Sequence, residues 1–416
     1  MKKRSCRKPW METARWMCCA ANVRVLLCSK EIFMNEYSFH ANTTRLSDDW
    51  QGLDTVVLYG AGNVSLVSKP LFEKFHIHIL CVIDNDSKKA GNSWLGAPVM
   101  PYDEARERIA GHKIVVMAAH EAYGSILRML EQDGLVEYRD FCNIGQFITE
   151  WMWTEHRLNC IFHMDMAITT RCTLNCRHCN MFIPYHDTHV DYTFEELKES
   201  IDLFFHRIDF VTYLGFLGGE TFLSPVLERL IIYTGDHYSD RIGRLSLQTN
   251  GTVEPTESLL ATVKKYNVFF AISDYSVPLH YEAKMDKLVQ RLDSYGIEYI
   301  RRDSIPWVDF GFPEHPVRRT AEQAKAHTAC CKPNWNGLHG DKFYYCNVSW
   351  AAQQSGHFQL SPEDYVVLTD INPDDKEDCR RIVELSRGTS SFCNICGGCG
   401  RDNQNYVPTA VQMERK

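Results

Sequence analysis

The side chains best suited to chemistry are the thiols of Cys172, Cys176 and Cys179, spaced C-x3-C-x2-C directly after a strand-like run at 164–170. Thiolates are soft ligands that select iron–sulfur clusters and zinc. A four-iron cluster presents four iron corners, and three thiolates leave one of them open. An open position is what separates a catalytic metal site from a structural one. Zinc is the alternative, since C-x2-C pairs commonly bind it, but this spacing without a fourth ligand nearby suits zinc poorly.

The spacing resembles the signature of the radical S-adenosylmethionine (SAM) enzymes. That resemblance implies a 4Fe-4S cluster on Cys172, Cys176 and Cys179, with SAM chelating the open iron. Three later segments resemble further stations of that family. Gly218-Gly219-Glu220 is similar to the GGE motif, whose backbone and acid hold the amino group of SAM, and glycine lets backbone approach a ligand closely. By the same resemblance, Thr249 with Asn250, and Ser273 with Asp274, would meet the ribose and carboxylate of SAM. Taken singly, these are also ordinary turn pairs and helix caps. His178 occupies the family's usually aromatic position and is expected to pack beside the cluster rather than ligate it.

A second cysteine set follows: Cys330, Cys331, Cys346, Cys379, Cys393, Cys396 and Cys399. The layout resembles the SPASM and twitch extensions of radical SAM enzymes, although the interval from Gly340 to Cys346 is one residue longer than the usual GX4C. The resemblance implies an auxiliary 4Fe-4S cluster on Cys331, Cys346, Cys393 and Cys396, with Cys330 and Cys399 as alternates. The competing expectation is a zinc knuckle built on Cys393, Cys396 and Cys399 with another ligand.

The elements that must position these groups are legible as alternating strands and helices from residue 163 onward. Strands are expected at 210–216, 244–248, 268–272 and 298–301, and a helix from the capping box Thr193–Glu196 to about His206. The count suits a partial (β/α)6 TIM-type barrel, with its chemistry at the carboxyl ends of the strands. Upstream, the strand-like run at 54–59, the turn Gly60-Ala61-Gly62 and a strand ending in Asp84 follow the order of a dinucleotide-binding βαβ unit, with Ser65 in place of the third glycine. This stretch resembles the Rossmann-like domains of sugar-modifying enzymes, and Gly60, Gly62 and Asp84 become candidate nucleotide or nucleotide-sugar contacts. A further strand is expected at 113–118 and a plain connection at 96–99. A scaffold that binds nothing is the alternative.

The expected organisation is therefore α/β: residues 1–50 as a disordered segment or a start placed too far upstream, a Rossmann-like parallel sheet at 51–150, the partial barrel at 160–325, and a small cysteine-rich extension at 326–416. Charged residues make up 24% and the net charge is -8, which gives no electrostatic reason for nucleic acid as a partner. The grouping of the 17 cysteines favours metal sites in a reducing cytoplasm over a disulfide framework. No apolar run reaches the roughly 18 residues of a membrane span.

The resemblance implies hydrogen-atom abstraction from a small-molecule or glycan substrate, and an electron donor such as flavodoxin or ferredoxin. Dehydrogenation or epimerisation of a sugar, nucleotide or glycan is expected. Epimerisation needs a thiol donor, for which Cys330 and Cys379 are the candidates. Ribosomal-peptide maturation and a non-enzymatic iron–sulfur sensor are the alternatives. Arg301, Arg302, Trp307 and Asp309 are candidate substrate contacts, with a solvated loop around a packed Trp as the alternative.

Overall fold

The computed structural model describes residues 45–118, 120–302, 307–330, 335–398 and 403–414. The segment 1–33 and the thiols of Cys331 and Cys399 lie outside the described residues.

Short β-branched runs bounded by glycine and polar turns build the first sheet. Strands β1 (Thr55–Tyr59), β2 (His78–Ile83), β3 (Ser93–Trp94), β4 (Ala97–Met100), β5 (Ile114–Val116) and β6 (Phe141–Asn143) take the order β3-β4-β2-β1-β5-β6. All neighbours are parallel except the β3–β4 hairpin. Helices α1 (Asn63–Lys74) and α2 (His120–Gln132) follow β1 and β5. The order reverses at β1, the switch point of a doubly wound sheet. The stretch 96–99, expected as a connection, is instead largely strand. Pro98 masks it in the sequence, but the exposed Pro98 pairs only with β3, and β4 meets β2 from Val99 onward.

The second sheet carries the chemistry. Strands β7 (Cys160–Thr169), β8 (Phe210–Gly218), β9 (Ile242–Thr249), β10 (Phe269–Ser273) and β11 (Tyr299–Arg302) run parallel and alternate with α3 (Phe194–Phe205), α4 (Leu227–Tyr238), α5 (Glu257–Lys265) and α6 (Glu282–Tyr295). Helix α3 begins with the expected capping box, Thr193 accepting from the Glu196 amide and Glu196 accepting from the Thr193 amide. Its apolar stripe, Leu197, Ile201, Phe204 and Phe205, packs on Met164, Met166 and Ile168 of β7 in the largest core cluster. Period-two alternation turns His163, Asp165 and Ala167 to the other face.

The cysteine-rich extension continues this sheet. A two-stranded ribbon joins β12 (Trp307–Val308) to β16 (Tyr406–Val407). Helix α7 (Ala321–Cys330) precedes β13 (Asn336–His339), which pairs in parallel with β7 on the side away from β8. Strands β14 (Lys342–Tyr344) and β15 (Tyr365–Val367) then extend the sheet antiparallel, accompanied by α8 (Asn347–Gln354) and α9 (Lys376–Ser386). The sixth parallel strand of the partial barrel is thus β13, beside the first strand rather than the fifth. Glu150, buried after β6, is clasped by Arg380 at 2.6 Å and by Arg387, which ties α9 to the end of the first sheet. No described helix is long and apolar enough to cross a membrane.

Candidate active site at the carboxyl ends of the barrel strands

Strand β7 ends at Thr169, and the next turn carries Cys172, Cys176 and Cys179 as free thiols. The three lie close enough to perturb one another electrostatically. Among the described residues, no three His, Cys, Asp or Glu side chains close around a single metal ion. Burial pushes the Cys172 and Cys176 thiols up to about 12. Each sulfur nevertheless faces N–H donors: Leu174 N at 3.4 Å and Asn250 Nδ2 at 3.6 Å for Cys172, Gln412 Nε2 at 3.1 Å for Cys176, and the backbone amides of Met181, Phe182 and Ile183 for Cys179. Such donors stabilise thiolates, and a bound metal deprotonates the thiols outright. Three soft sulfurs on one loop, each already supplied with N–H donors, are the donor set that suits a 4Fe-4S cluster.

Strand β8 ends under this loop. A Cβ on Gly218 would stand 2.2 Å from the Thr169 carbonyl oxygen, and one on Gly219 2.1 Å from that of Arg171 and 2.8 Å from Cys172 Cβ. The Gly219 and Glu220 amides donate to those two carbonyls at 3.0 and 2.8 Å. The glycines therefore let β8 lie against the cysteine loop. Glu220 is fully buried; Oε1 accepts from Thr249 Oγ1 at 2.8 Å and Phe222 N at 3.2 Å, and Oε2 from Asn250 N at 2.8 Å. Glu220, Thr249 and Asn250 thus form one network, joined to Cys172 through the Asn250 amide.

Burial outweighs those three donors and raises the Glu220 carboxyl to about 7. The folded chain then holds a proton that an unfolded one releases near the ordinary 4.5. Stability contributed by this group is present below pH 4.5 and lost as pH rises through about 7, on the order of 3 kcal/mol across the window. Glu220→Gln is expected to flatten that part of the curve, measured as the thermal midpoint of wild type and variant from pH 5 to 8.

Ser273 and Asp274 close β10. Burial favours the neutral Asp274, but the Ser276 amide at 2.8 Å and Arg301 Nε at 2.6 Å outweigh it and hold the carboxyl below its usual range. Arg301 is thereby engaged. Asp309 likewise accepts from Gly311 N at 2.7 Å and stands 3.4 Å from His178 Nδ1, and Trp307 packs edge-on against Tyr275. These three of the expected substrate contacts thus already have protein partners at the rim. Tyr275, which the sequence reading missed, stands near all three thiols.

Below the rim, the inner face of the sheet is polar. His163 Nε2 stands 3.1 Å from Asp165 Oδ1, and Tyr213 packs edge-on against the imidazole. Gly215 makes room for Asp165, because a Cβ there would meet Oδ1 at 2.1 Å. Ser246 and Gln248 continue this face on β9. The period-two placement of polar residues in otherwise apolar strands was the available signal.

In the extension, Cys346, Cys393 and Cys396 line one cavity with His327, Trp335 and Phe392. Cys330 is the last residue of α7. Cys379 lies elsewhere, its thiol 3.5 Å from the Asn372 carbonyl and under the influence of Asp209, at the amino end of β8. In the first sheet, Gly60 adopts φ +122°. Asp84 accepts from Ala61 N and Lys89 Nζ, both at 2.9 Å, and from Asp86 N at 2.9 Å. Ser65 donates to the Gly62 carbonyl at 2.7 Å. A Cβ on Gly62 would meet nothing within 4 Å.

Residues 166–281, which run from β7 through the Cys loop to the start of α6, match the model of the Radical SAM superfamily. This stretch is a radical SAM domain. An uncharacterized protein of Methanocaldococcus jannaschii is 29% identical over 112 residues, 27% of this chain and 37% of its own length. The chain thus spans little more than a third of that curated relative. Among solved structures, BtrN in complex with AdoMet and 2-DOIA is similar at TM-score 0.34 and 15% identity, over 46% of this chain and 75% of that one. Streptococcus suis SuiB bound to S-adenosylmethionine is similar at TM-score 0.29 and 16% identity, over 36% of each chain. A radical SAM domain implies a 4Fe-4S cluster and SAM.

Proposed function

We propose that the chain is a radical SAM enzyme that abstracts a hydrogen atom from a polyhydroxylated substrate, of sugar, nucleotide or glycan type, and completes a dehydrogenation or epimerisation. One observation carries this reading: the cysteine loop, Glu220 and Asn250 share the carboxyl-terminal rim of a sheet whose inner face presents Asp165, His163 and Gln248. When bound, the cluster supplies the electron that cleaves SAM and generates the 5′-deoxyadenosyl radical. Cys172, Cys176 and Cys179 would hold it, leaving one iron for SAM. Gly218 and Gly219 keep the loop seated, and Glu220 with Thr249 and Asn250 fixes the rim on which SAM would lie. Ser273 and Asp274 border the same rim.

Below them, Asp165 accepts from a substrate hydroxyl while His163, hydrogen-bonded to its Oδ1 at 3.1 Å, orients the carboxylate. Cys346, Cys393 and Cys396, with Cys331 or Cys330 or Cys399, would hold an auxiliary cluster able to take an electron from a substrate radical. The sheet at 51–150 is the candidate for a nucleotide moiety at Gly60 and Gly62. Asp84 already bonds Ala61 and Lys89 there, and so it serves the loop first.

Anaerobically reconstituted protein given SAM and dithionite is expected to form 5′-deoxyadenosine slowly, and faster with UDP-glucose or free hexose as polyol probes. Absence of 5′-deoxyadenosine despite an intact cluster favours the sensor alternative. Asp165→Asn is expected to leave the probe-free rate and to lower the probe-dependent rate about tenfold to a hundredfold, the loss of one charge-assisted hydrogen bond.

A further inference from the structure

The last described segment returns to the cysteine loop. Cys176 and Gln412 form an antiparallel bridge, with Arg177 N donating to Val411 O at 2.8 Å and Met413 N to Asn175 O at 2.8 Å. Asn175 Nδ2 also donates to the Met413 and Glu414 carbonyls at 3.1 and 3.2 Å. Backbone from 411–414 therefore covers the middle of the C-x3-C-x2-C loop, over 230 residues away in sequence.

The Gln412 side chain is fixed in one orientation. Its Oε1 accepts from Asn175 N at 2.7 Å, and its Nε2 donates to the Ala410 carbonyl at 2.8 Å and to Cys176 Sγ at 3.1 Å. A flip of the amide would set N–H against N–H at Asn175 and oxygen against both the Ala410 carbonyl and the sulfur. The donor is thus held on the sulfur by its neighbours. The other two thiols draw their donors from Leu174, Asn250 and residues 181–183, and Gln412 is the hydrogen-bond donor to Cys176 Sγ.

We propose that the segment 410–414 is a wall of the SAM cluster and that Gln412 sets the cluster's reduction potential through its N–H···S bond to Cys176. The inference rests on the radical SAM reading of Cys172, Cys176 and Cys179. A hydrogen bond to a cluster sulfur withdraws negative charge from the iron core and favours the reduced state, and covering backbone excludes water. Removing the donor therefore lowers the potential, and replacing it with a carboxylate lowers it further.

The test is an EPR-monitored redox titration of the full, anaerobically reconstituted chain, following the signal that changes on adding SAM, in wild type, Gln412→Leu and Gln412→Glu. Potentials are expected in the order wild type, Leu, Glu, from least to most negative. ENDOR in D2O is expected to show an exchangeable proton coupled to the wild-type cluster and missing from both variants. Should the Leu variant fail to assemble, wild type against Glu and the wild-type proton coupling still decide. Equal potentials, or no exchangeable proton in wild type beyond what the Glu variant retains, overturn the inference while leaving the domain reading intact. A wild-type chain with no SAM-responsive cluster overturns the domain reading beneath it.

Discussion

Replacing Cys172, Cys176 or Cys179 singly with alanine is expected to reduce 5′-deoxyadenosine formation to the rate seen without protein, the largest effect of any single change in the chain. Two thiolates cannot fix a cluster that already lacks one protein ligand, so iron is lost along with activity. The fold should survive, because these thiols stand on a turn beyond the strand rather than in the main core between sheet and helices. Circular dichroism alongside iron content separates the two outcomes. Cys379→Ala, at the amino end of β8, is expected to retain SAM cleavage.

Gly219→Ala should be nearly as damaging for a different reason. Its Cβ would overlap the Arg171 carbonyl, which is backbone and cannot rotate away. The adjoining bonds, Gly219 N to Thr169 O and Glu220 N to Arg171 O, hold the two segments together at that point. Overpacking of this kind costs about 1–3 kcal/mol or more, and here the strain is relieved only by moving the residue before Cys172. The expected result is a thermal midpoint several degrees lower and substoichiometric iron at the first cluster. Ser276→Ala, which packs at the same rim without such a clash, should keep full iron occupancy. Thermal denaturation and iron assay of the two variants check the difference.

Much of the site was legible because its signals are local. The cysteine loop, the capping box at Thr193 and the strand ends carrying Gly218, Thr249 and Ser273 each depend on residues within a few positions of one another. What the sequence concealed depends on distant pairings. Gln412 reaches Cys176 across 236 positions, and β13 joins β7 from the extension. No local pattern announces either. The packing of Gly218 and Gly219 on the cysteine loop was hidden for another reason: a glycine that admits a ligand and one that admits a neighbouring loop look alike in sequence. Asp309 and Arg301 looked available for substrate because sequence does not reveal that His178, Gly311 and Asp274 already engage them. Pro98 hid a strand since proline normally argues against one.

The claim beneath all of this is that protein thiols take three iron corners and the amino acid end of SAM takes the fourth. ENDOR on the reduced, reconstituted chain with SAM carrying 17O in its carboxylate and 15N in its amino group tests it most directly. Strong 17O and 15N couplings to the cluster are the predicted result. A reduced cluster that shows neither coupling in the presence of saturating labelled SAM would contradict the account.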